Sequence, residues 1–544
     1  MILNSILTPS TVRHFPNAAL PEKKLSTVDI ALNERFSFQV ALRADEMMRV
    51  RVTLEGPDGW ELRTRHVGLA LAKHHNTPIL SDPLDQDGIG QIPGLVPDPL
   101  LEENDIRLAQ DETTAFWFTV RPSKKVTAGK YDLTATVTIL QEDTKTGEII
   151  GVIGKPKKHK LSVRVHNIAI KPRKNFDITH WFYNDCLITW YKTNGFDDNF
   201  WAICENYIKD IADHGQNVIY VPIFTPPLDG DKYPSQLLKV KKCANGKYEF
   251  DWTDVRRYVK LAKKCGIDTF EWCHLFAQWG CRFALRIYEG QGEGEKVLWD
   301  RETPATSDIY RNFLSQFLPE LEKFLKEEKI FKKSFFHISD EPHGEEARKN
   351  YIAAKEMVRE IAPWLRSIDA VSEIEYAEVI DTPVPVTSSA LKFLEAGYES
   401  WVYYCCGPRG EYIQHLMDTP LAKIAMHGFL FYRWPFKGFL HWGYNYWNIS
   451  GSRTLIDPFI VTDGMRWPNW AYGDTFLVYP GEKGPIDSIR WEIFAESLQD
   501  YALLQTLGID REDKLLSQIK SFKDFPKDAK WRNSVRAKLF ALVK

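Results

Sequence analysis

At 544 residues the chain exceeds what one hydrophobic core can hold, and domains of ~100 to 250 residues divide it into two or three packed units. Hydrophobic residues make up 44% and charged residues 26%, without any low-complexity tract, which excludes a disordered chain. Lys and Arg total 70 against 73 Asp and Glu, and a net charge of -3 provides no broad basic field, so nucleic acid and anionic membrane are not expected partners and a neutral substrate fits better.

The N-terminus, MILNSILTPSTVRHF, lacks the basic segment, apolar run and small-residue site of a secretory leader. No stretch approaches ~18 uninterrupted apolar residues. The eight cysteines lie mid-chain without a metal-type CxxC pair, so reduced thiols and a cytoplasmic location are expected unless a leader has been removed.

From about 28 to 170, short alternating runs such as RFSFQVALRA, AFWFTVRP and YDLTATVTI alternate with Gly-, Pro- and Lys-rich turns and predict a β-sandwich. After Gly129, Tyr131, Leu133, Ala135 and Val137 share one strand face while Asp132, Thr134 and Thr136 share the other. This accessory unit is assigned to residues 1–172.

Beyond Pro172 strand-like runs alternate with helical patterns, the signature of βα units around a parallel sheet. Eight strands are predicted: Asp177–Phe182, Asn217–Phe224, Asp268–Leu275, Phe335–Asp340, Arg366–Val371, Val384–Thr387, Ser400–Cys405 and Gly438–Tyr446. That count predicts an α/β fold with a central (β/α)8 TIM barrel over 173–450. Among its helices, WAICENYIKDIADHG stops at Gly215, Ser307 opens a helix that Pro319 is expected to kink, and Thr419–Pro420 starts LAKIAMHGFLFY. The run GQGEGE has no phosphate-loop Lys or Ser/Thr and reads as a flexible loop. Residues 451–544 form a mostly helical extension, including a helix from Ile489 that Gly508 ends.

Barrel enzymes place their chemistry at the C-terminal ends of strands, and strand four ends in KKSFFHISDEPHGEEA. Period-two alternation directs His337, Ser339 and Glu341 toward the axis, and Asp340, just before Pro342, stands where the chain leaves the ladder and can turn inward. An enzymic nucleophile needs a second carboxyl ~5 Å away across the sugar, usually from another strand, whereas an adjacent pair suits a substrate acetamide acting as nucleophile. In that chemistry Asp340 orients the acetamide and Glu341 is the acid/base, with mutual repulsion and desolvation raising one pKa, assigned to Glu341. The bland alternative is that both acids cap the next helix, a role Glu345 and Glu346 can fill. His337 and His343 lack a second ligand cluster, so no metal is expected.

Other strand ends carry aromatic and polar residues together: HWFYN at 180 to 184, EWCHLFAQW at 271 to 279, WVYYCCG at 401 to 407 and LHWGYNYWN at 440 to 448. With aromatics at 13% of the chain, such walls suit sugar faces and hydroxyl rims. Trp181, Asn184, His274, His337, Tyr403, Tyr404, Trp442, Tyr446, Trp447 and Asp474 are the candidate substrate contacts, with Asp474 or Asn184 considered for the O4 hydroxyl.

The motif FHISDEP, the earlier ENYIKDIADHGQNVIYVPIF and the late YGDTFLVYPGEKGPIDSIRWEIFAESLQDYALL resemble family-123 glycoside hydrolases, the β-N-acetylgalactosaminidases, over about 175 to 508. The resemblance implies a β-sandwich followed by a barrel, no metal or organic cofactor, and acetamide-assisted release of terminal β-linked N-acetylgalactosamine from a glycan. By position it implies Asp340 as the acetamide-orienting acid, Glu341 as the acid/base, and Tyr403 or Tyr404 as a donor to the acetamide oxygen. Alternatives are a glycosidase for another 2-acetamido sugar, such as N-acetylglucosamine or a sulfated galactosamine, and a carbohydrate-binding protein without catalysis. A homodimer is compatible with the sequence, which contains no residue-level argument for one.

Overall fold

The computed structural model describes residues 2–77, 82–143, 145–227 and 232–543. In the N-terminal part, alternating apolar residues build two five-stranded sheets. The first orders Leu3–Pro9, Phe36–Ala44, Thr113–Arg121, Glu61–Ala72 and Gly94–Leu101, antiparallel throughout. The second orders Thr27–Ala31, Ile149–His166, Gly129–Glu142, Met48–Glu55 and Asp105–Leu108, with Thr27–Ala31 parallel to its neighbour. Phe38, Val40, Phe116 and Phe118 of the first sheet meet Val50, Leu133, Ala135, Val137 and Val163 of the second in one core. The alternation read after Gly129 thus sets which side chains are buried. The first sheet's opposite face sends Val67, Ala70, Ala115 and Trp117 into the larger core that also contains the parallel strands.

Each of the eight segments predicted after Pro172 overlaps a strand: Asp177–His180, Val218–Val221, Thr269–Trp272, Ser334–Phe336, Ile368–Val371, Thr382–Pro385, Val402–Tyr403 and Gly438–His441, the fourth and sixth starting before the predicted bounds. We number these one to eight. Strands two, three and four form one parallel half-barrel sheet, strands one, eight and seven another, and five pairs with six. Single parallel bridges, Phe336 with Ser367 and Val386 with Tyr403, link four to five and six to seven. Between one and two, side chains replace the ladder. Gln216 Oε1 accepts from His180 N at 2.9 Å, and Asn217 Oδ1 accepts from Ile178 N at 3.0 Å. All but strand six are shorter than predicted, and at strands one and four polar side chains take over backbone hydrogen bonds.

Helix Asp198–Asp213 starts where Asp197 Oδ1 accepts from Phe200 N at 2.8 Å and ends before Gly215, whose φ of 83° costs glycine least. Helix Asp308–Glu327 runs through Pro319 as one element. LAKIAMHGFLFY, expected as one helix, is two short ones, Leu421–Ile424 and His427–Arg433. The Gly-rich run is a turn with positive φ at Gly290 and Gly292, and Gly290 pairs with Val240.

Helix Ile489–Leu507 ends at Gly508 in the left-handed conformation and is buried on nearly every side, charged residues included. Arg490 donates through Nε and Nη2 to the two Asp98 carboxylate oxygens at 2.9 and 3.0 Å, and through Nη1 to His415 O and Gly473 O at 2.9 and 2.8 Å. Glu492 pairs with Arg35 and Arg65, and Asp500 with Arg532 and Arg536. This helix therefore fastens the first sheet, the segments after strands seven and eight, and the last helix, Ala529–Ala541, to one frame. Among the described residues no helix is long and apolar enough to cross a membrane.

Candidate active site

A cavity of about 270 Å³ opens at the C-terminal ends of the parallel strands, lined by Trp181, Gln278, Trp279, Asp340, Glu341, Ala370, Tyr403, Cys405, Cys406, Leu440, Trp442, Arg466, Asn469 and Trp470. It falls just under the ~300 to 1,000 Å³ of pockets for drug-sized ligands, a size that suits one sugar ring.

Its acids come from a backbone irregularity. The ladder of strand four stops at Phe336, and Glu341 takes φ of 40°, left-handed backbone that L residues adopt at a cost. That twist, rather than strict strand alternation, brings both half-buried carboxyls to the same cavity. The next helix, Gly344–Ile361, has His343 at its N-cap and Glu345 and Glu346 in its first turn, so the pair does not serve as the cap.

Tyr403 Oη donates to Glu341 Oε1 at 2.6 Å. The carboxyl pushed well above its ordinary range is Asp340, by burial first and by the Glu341 charge second, while His337 opposes the shift. The sequence assignment of the raised group to Glu341 is corrected accordingly. Trp279 N donates to Asp340 O at 2.8 Å, and Ser339 Oγ donates to Ala277 O at 2.9 Å, tying the loop after strand three to the acidic turn.

Beneath the acids lies a charged layer. His337 hydrogen-bonds Glu271 Oε1 through Nε2 at 2.6 Å and Asp369 Oδ1 through Nδ1 at 3.1 Å. Burial alone would lower its pKa, but the bonds to Asp369 and Glu271 win and push it up to about 9. His274 stacks on it with ring centroids 4.4 Å apart, and burial plus the His337 charge hold His274 well below the ordinary range, hence neutral. Glu271 also accepts from Trp181 Nε1 at 2.7 Å and Thr179 Oγ1 at 2.6 Å. Asp369 accepts from Ile338 N and Ser339 N at 3.1 and 3.3 Å and from Tyr351 Oη. The main chain entering the acidic turn is thereby clamped.

This layer, together with the His214–Asp210 pair at the end of helix Asp198–Asp213, makes stability pH-dependent. His337 and His214, the latter pushed up to about 10 by Asp210 against burial, have folded pKa values above the unfolded value of about 6.5. Their contribution is full below that value and is lost as pH rises through about 9 to 10. The midpoint of urea unfolding is expected to fall between pH 6 and pH 10; a constant or rising midpoint would contradict charged imidazoles here.

Of the sequence candidates, Trp181, Tyr403 and Trp442 line the cavity with the two acids. The others do not. Tyr404, next to Tyr403 and so on the opposite strand face, is fully buried with its hydroxyl bonded to His415 and His427 at 2.8 and 2.6 Å. Trp447 is buried and donates to Val478 O, and Asn184 is buried in helix Asn184–Tyr191. Asp474 accepts from Trp442 Nε1 at 2.8 Å and bonds His441, orienting the cavity wall from behind. Tyr446 backs the same wall, 5.3 Å from Trp442 and 5.7 Å from Trp470 between centroids. His274 and His337 form the underlying layer. These seven are therefore reassigned from substrate contacts to supporting positions.

Sequence reasoning missed Gln278, Trp279, Arg466, Asn469 and Trp470 as lining residues. Trp279 closed an aromatic cluster at strand three and could have been chosen, whereas Arg466, Asn469 and Trp470 come from the loop-rich stretch after strand eight.

A carboxylate pair at a strand end, inside an aromatic-walled cavity of monosaccharide size, is the equipment of an enzyme that hydrolyses glycosides. The family model described as "Glycoside hydrolase 123, catalytic domain" matches residues 181–507, and the chain belongs to that family. A solved family 123 glycoside hydrolase from Clostridium perfringens, described in connection with glycolipid glycan hydrolysis, is similar in fold: TM-score 0.74 at 15% identity, covering 100% of this chain and 98% of that one. A GH2 β-galacturonidase from Eisenbergiella tayi is only remotely similar, with TM-score 0.32 at 10% identity over 88% of this chain and 73% of that one. No curated protein sequence matches the chain.

Proposed function

We propose that this glycoside hydrolase is a retaining, exo-acting β-N-acetylgalactosaminidase that works through an oxazoline intermediate. The observation that carries the reading is the adjacency of Asp340 and Glu341 in one cavity, with Asp340 pushed up and Glu341 held by Tyr403. In this reading the eight parallel strands make one (β/α)8 barrel over 173–450. Residues 1–172 are an accessory β-sandwich, and 451–544 an extension packed on the barrel.

The terminal sugar enters with its acetamide toward Asp340. An N–H donor favours ionised Asp340, so binding shifts the proton of the pair toward Glu341, next to the leaving oxygen. The acetamide oxygen attacks C1 while Glu341 protonates the departing glycan, and the Asp340 carboxylate stabilises the oxazolinium. Glu341, now a base, takes a proton from water, which opens the ring with net retention. Tyr403, placed beside Glu341, is assigned as the donor to the acetamide oxygen, turning to it from Glu341 when the sugar binds. Trp181, Trp442 and Trp470 supply aromatic faces for the ring. A terminal sugar of a glycolipid glycan, the substrate class named for the Clostridium perfringens relative, is compatible with a cavity that holds one ring.

The second reading is preference for N-acetylglucosamine, whose O4 is equatorial. Asp474 and Asn184 do not line the cavity; besides Asp340, Glu341 and Tyr403, Gln278, Arg466 and Asn469 do. Initial rates on 4-nitrophenyl N-acetyl-β-galactosaminide and its gluco epimer separate the two. The galacto compound is expected to react faster by about tenfold or more, the scale of one well-placed polar contact. A gluco preference would overturn the sugar assignment and leave the carboxylate chemistry intact.

A further inference from the structure

Cys405 and Cys406 follow strand seven and both line the catalytic cavity alongside Glu341 and Tyr403. Their sulfurs are 3.8 Å apart, and both residues are half-buried, open to whatever enters. By contrast Cys186, Cys204, Cys273 and Cys281 are buried, and neither Cys243 nor Cys265 lines this cavity. The backbone around the pair is fixed from several sides. Gln414 Nε2 donates to Cys405 O and Pro408 O, both at 2.9 Å. The Arg409 guanidinium donates to Cys406 O and, at 2.6 Å each, to Asn76 O and Pro468 O. The two thiols are thus held side by side on a braced loop.

We propose that Cys405 and Cys406 are a reversible dithiol–disulfide modification site in the wall of the catalytic cavity, with a low-molecular-weight disulfide as oxidant. One cysteine thiolate attacks the oxidant's S–S bond, releasing one small thiol and leaving a mixed disulfide. The second cysteine, losing its proton, attacks the protein-side sulfur of that bond and expels the second small thiol. Two cysteine thiols are oxidised by two electrons in all, and one disulfide is reduced to two thiols. The Cys406 contact, burial and the Glu341 charge keep the Cys405 thiol well above its ordinary range.

Closure draws the sulfurs from 3.8 Å to ~2 Å and strains the peptide between them, two residues from the tyrosine that holds Glu341. The cavity wall then no longer fits the sugar that the open form accepts. This consequence rests on the sugar-site reading above, whereas ring closure does not.

The full-length chain, reduced and then treated with glutathione disulfide, is examined by alkylation and mass spectrometry and assayed on the galacto nitrophenyl substrate. A loss of about 2 Da, mapped to an unalkylated peptide carrying both Cys405 and Cys406, is expected. Hydrolysis is expected to fall by about tenfold or more on oxidation, the scale of an ångström-size misplacement in an active site, and to return with dithiothreitol. Cys406→Ser, whatever its own rate, should show no ring and no such loss. If the two residues stay fully alkylated, or carry only glutathione adducts, the modification site is wrong; if the ring forms and the rate is unchanged, its control of the cavity is wrong. Should neither redox form hydrolyse any aryl hexosaminide, the sugar-site reading fails and the mass result alone decides the dithiol site.

Discussion

Asp340→Asn is expected to slow hydrolysis of 4-nitrophenyl N-acetyl-β-galactosaminide by about 10²- to 10⁴-fold, the range found when a charge aimed at the transition state is removed. The substitution keeps the shape and the acceptor oxygen and deletes the negative charge. Ground-state binding therefore changes little, so the loss should fall on kcat with KM moving far less. Folding should not suffer. The Asp340 carboxyl is already pushed up by burial and by Glu341, so a neutral amide relieves repulsion, and the thermal midpoint should hold or rise. Steady-state kinetics with a melting curve on the same sample decide the matter. A variant within about tenfold of wild type would remove Asp340 from the chemistry.

Glu341→Gln is expected to be comparably damaging on a glycan, about 10²- to 10⁴-fold, because an amide cannot donate its proton to a leaving alkoxide. The loss should be smaller on a nitrophenyl glycoside, whose leaving group needs less help. That difference separates an acid/base from a group that only positions substrate, since a positioning defect would slow both substrates equally. Tyr403 can still donate to the amide oxygen of the variant, so the local geometry is retained. Equal losses on glycan and nitrophenyl substrates, measured as kcat/KM, would sink the assignment.

The parallel strands could be read from the sequence because short strand-like runs alternate with helical patterns beyond Pro172, and the acidic turn because Asp340 and Glu341 stand before Pro342. What the sequence does not display is how the ladders are interrupted. Gln216 and Asn217 hydrogen-bond strand one with their side chains, and Asp369 does so for the chain after strand four, contacts between residues 31 to 39 positions apart that no local pattern encodes. Period two separates Tyr403 from Tyr404 but cannot say which of them faces the cavity; the Glu341 contact does. The left-handed backbone at Glu341 broke the alternation from which its direction was argued, although its side chain still reached the cavity. Trp470 and Arg466 lie in a stretch of turns after strand eight, where neither helical nor strand periodicity marks a face.

The charged layer under the acids explains why His274, His337, Asp474 and Tyr446 looked like ligand contacts. Polar and aromatic residues at strand ends are needed twice, once to meet the substrate and once to fix the residues that do. Glu271 illustrates the second use: a single carboxylate orients Trp181 in the wall and holds the His337 charge below Asp340.

The most direct test of acetamide assistance is the affinity of the wild-type enzyme and Asp340→Asn for a galacto-configured thiazoline that mimics the oxazoline, measured against free N-acetylgalactosamine. The account predicts that wild type binds the thiazoline at least about 10²-fold more tightly than the free sugar and that Asp340→Asn loses most of that advantage. A wild-type enzyme that hydrolyses the aryl galactosaminide yet binds thiazoline no better than the sugar would contradict the mechanism and require a nucleophile from the protein instead.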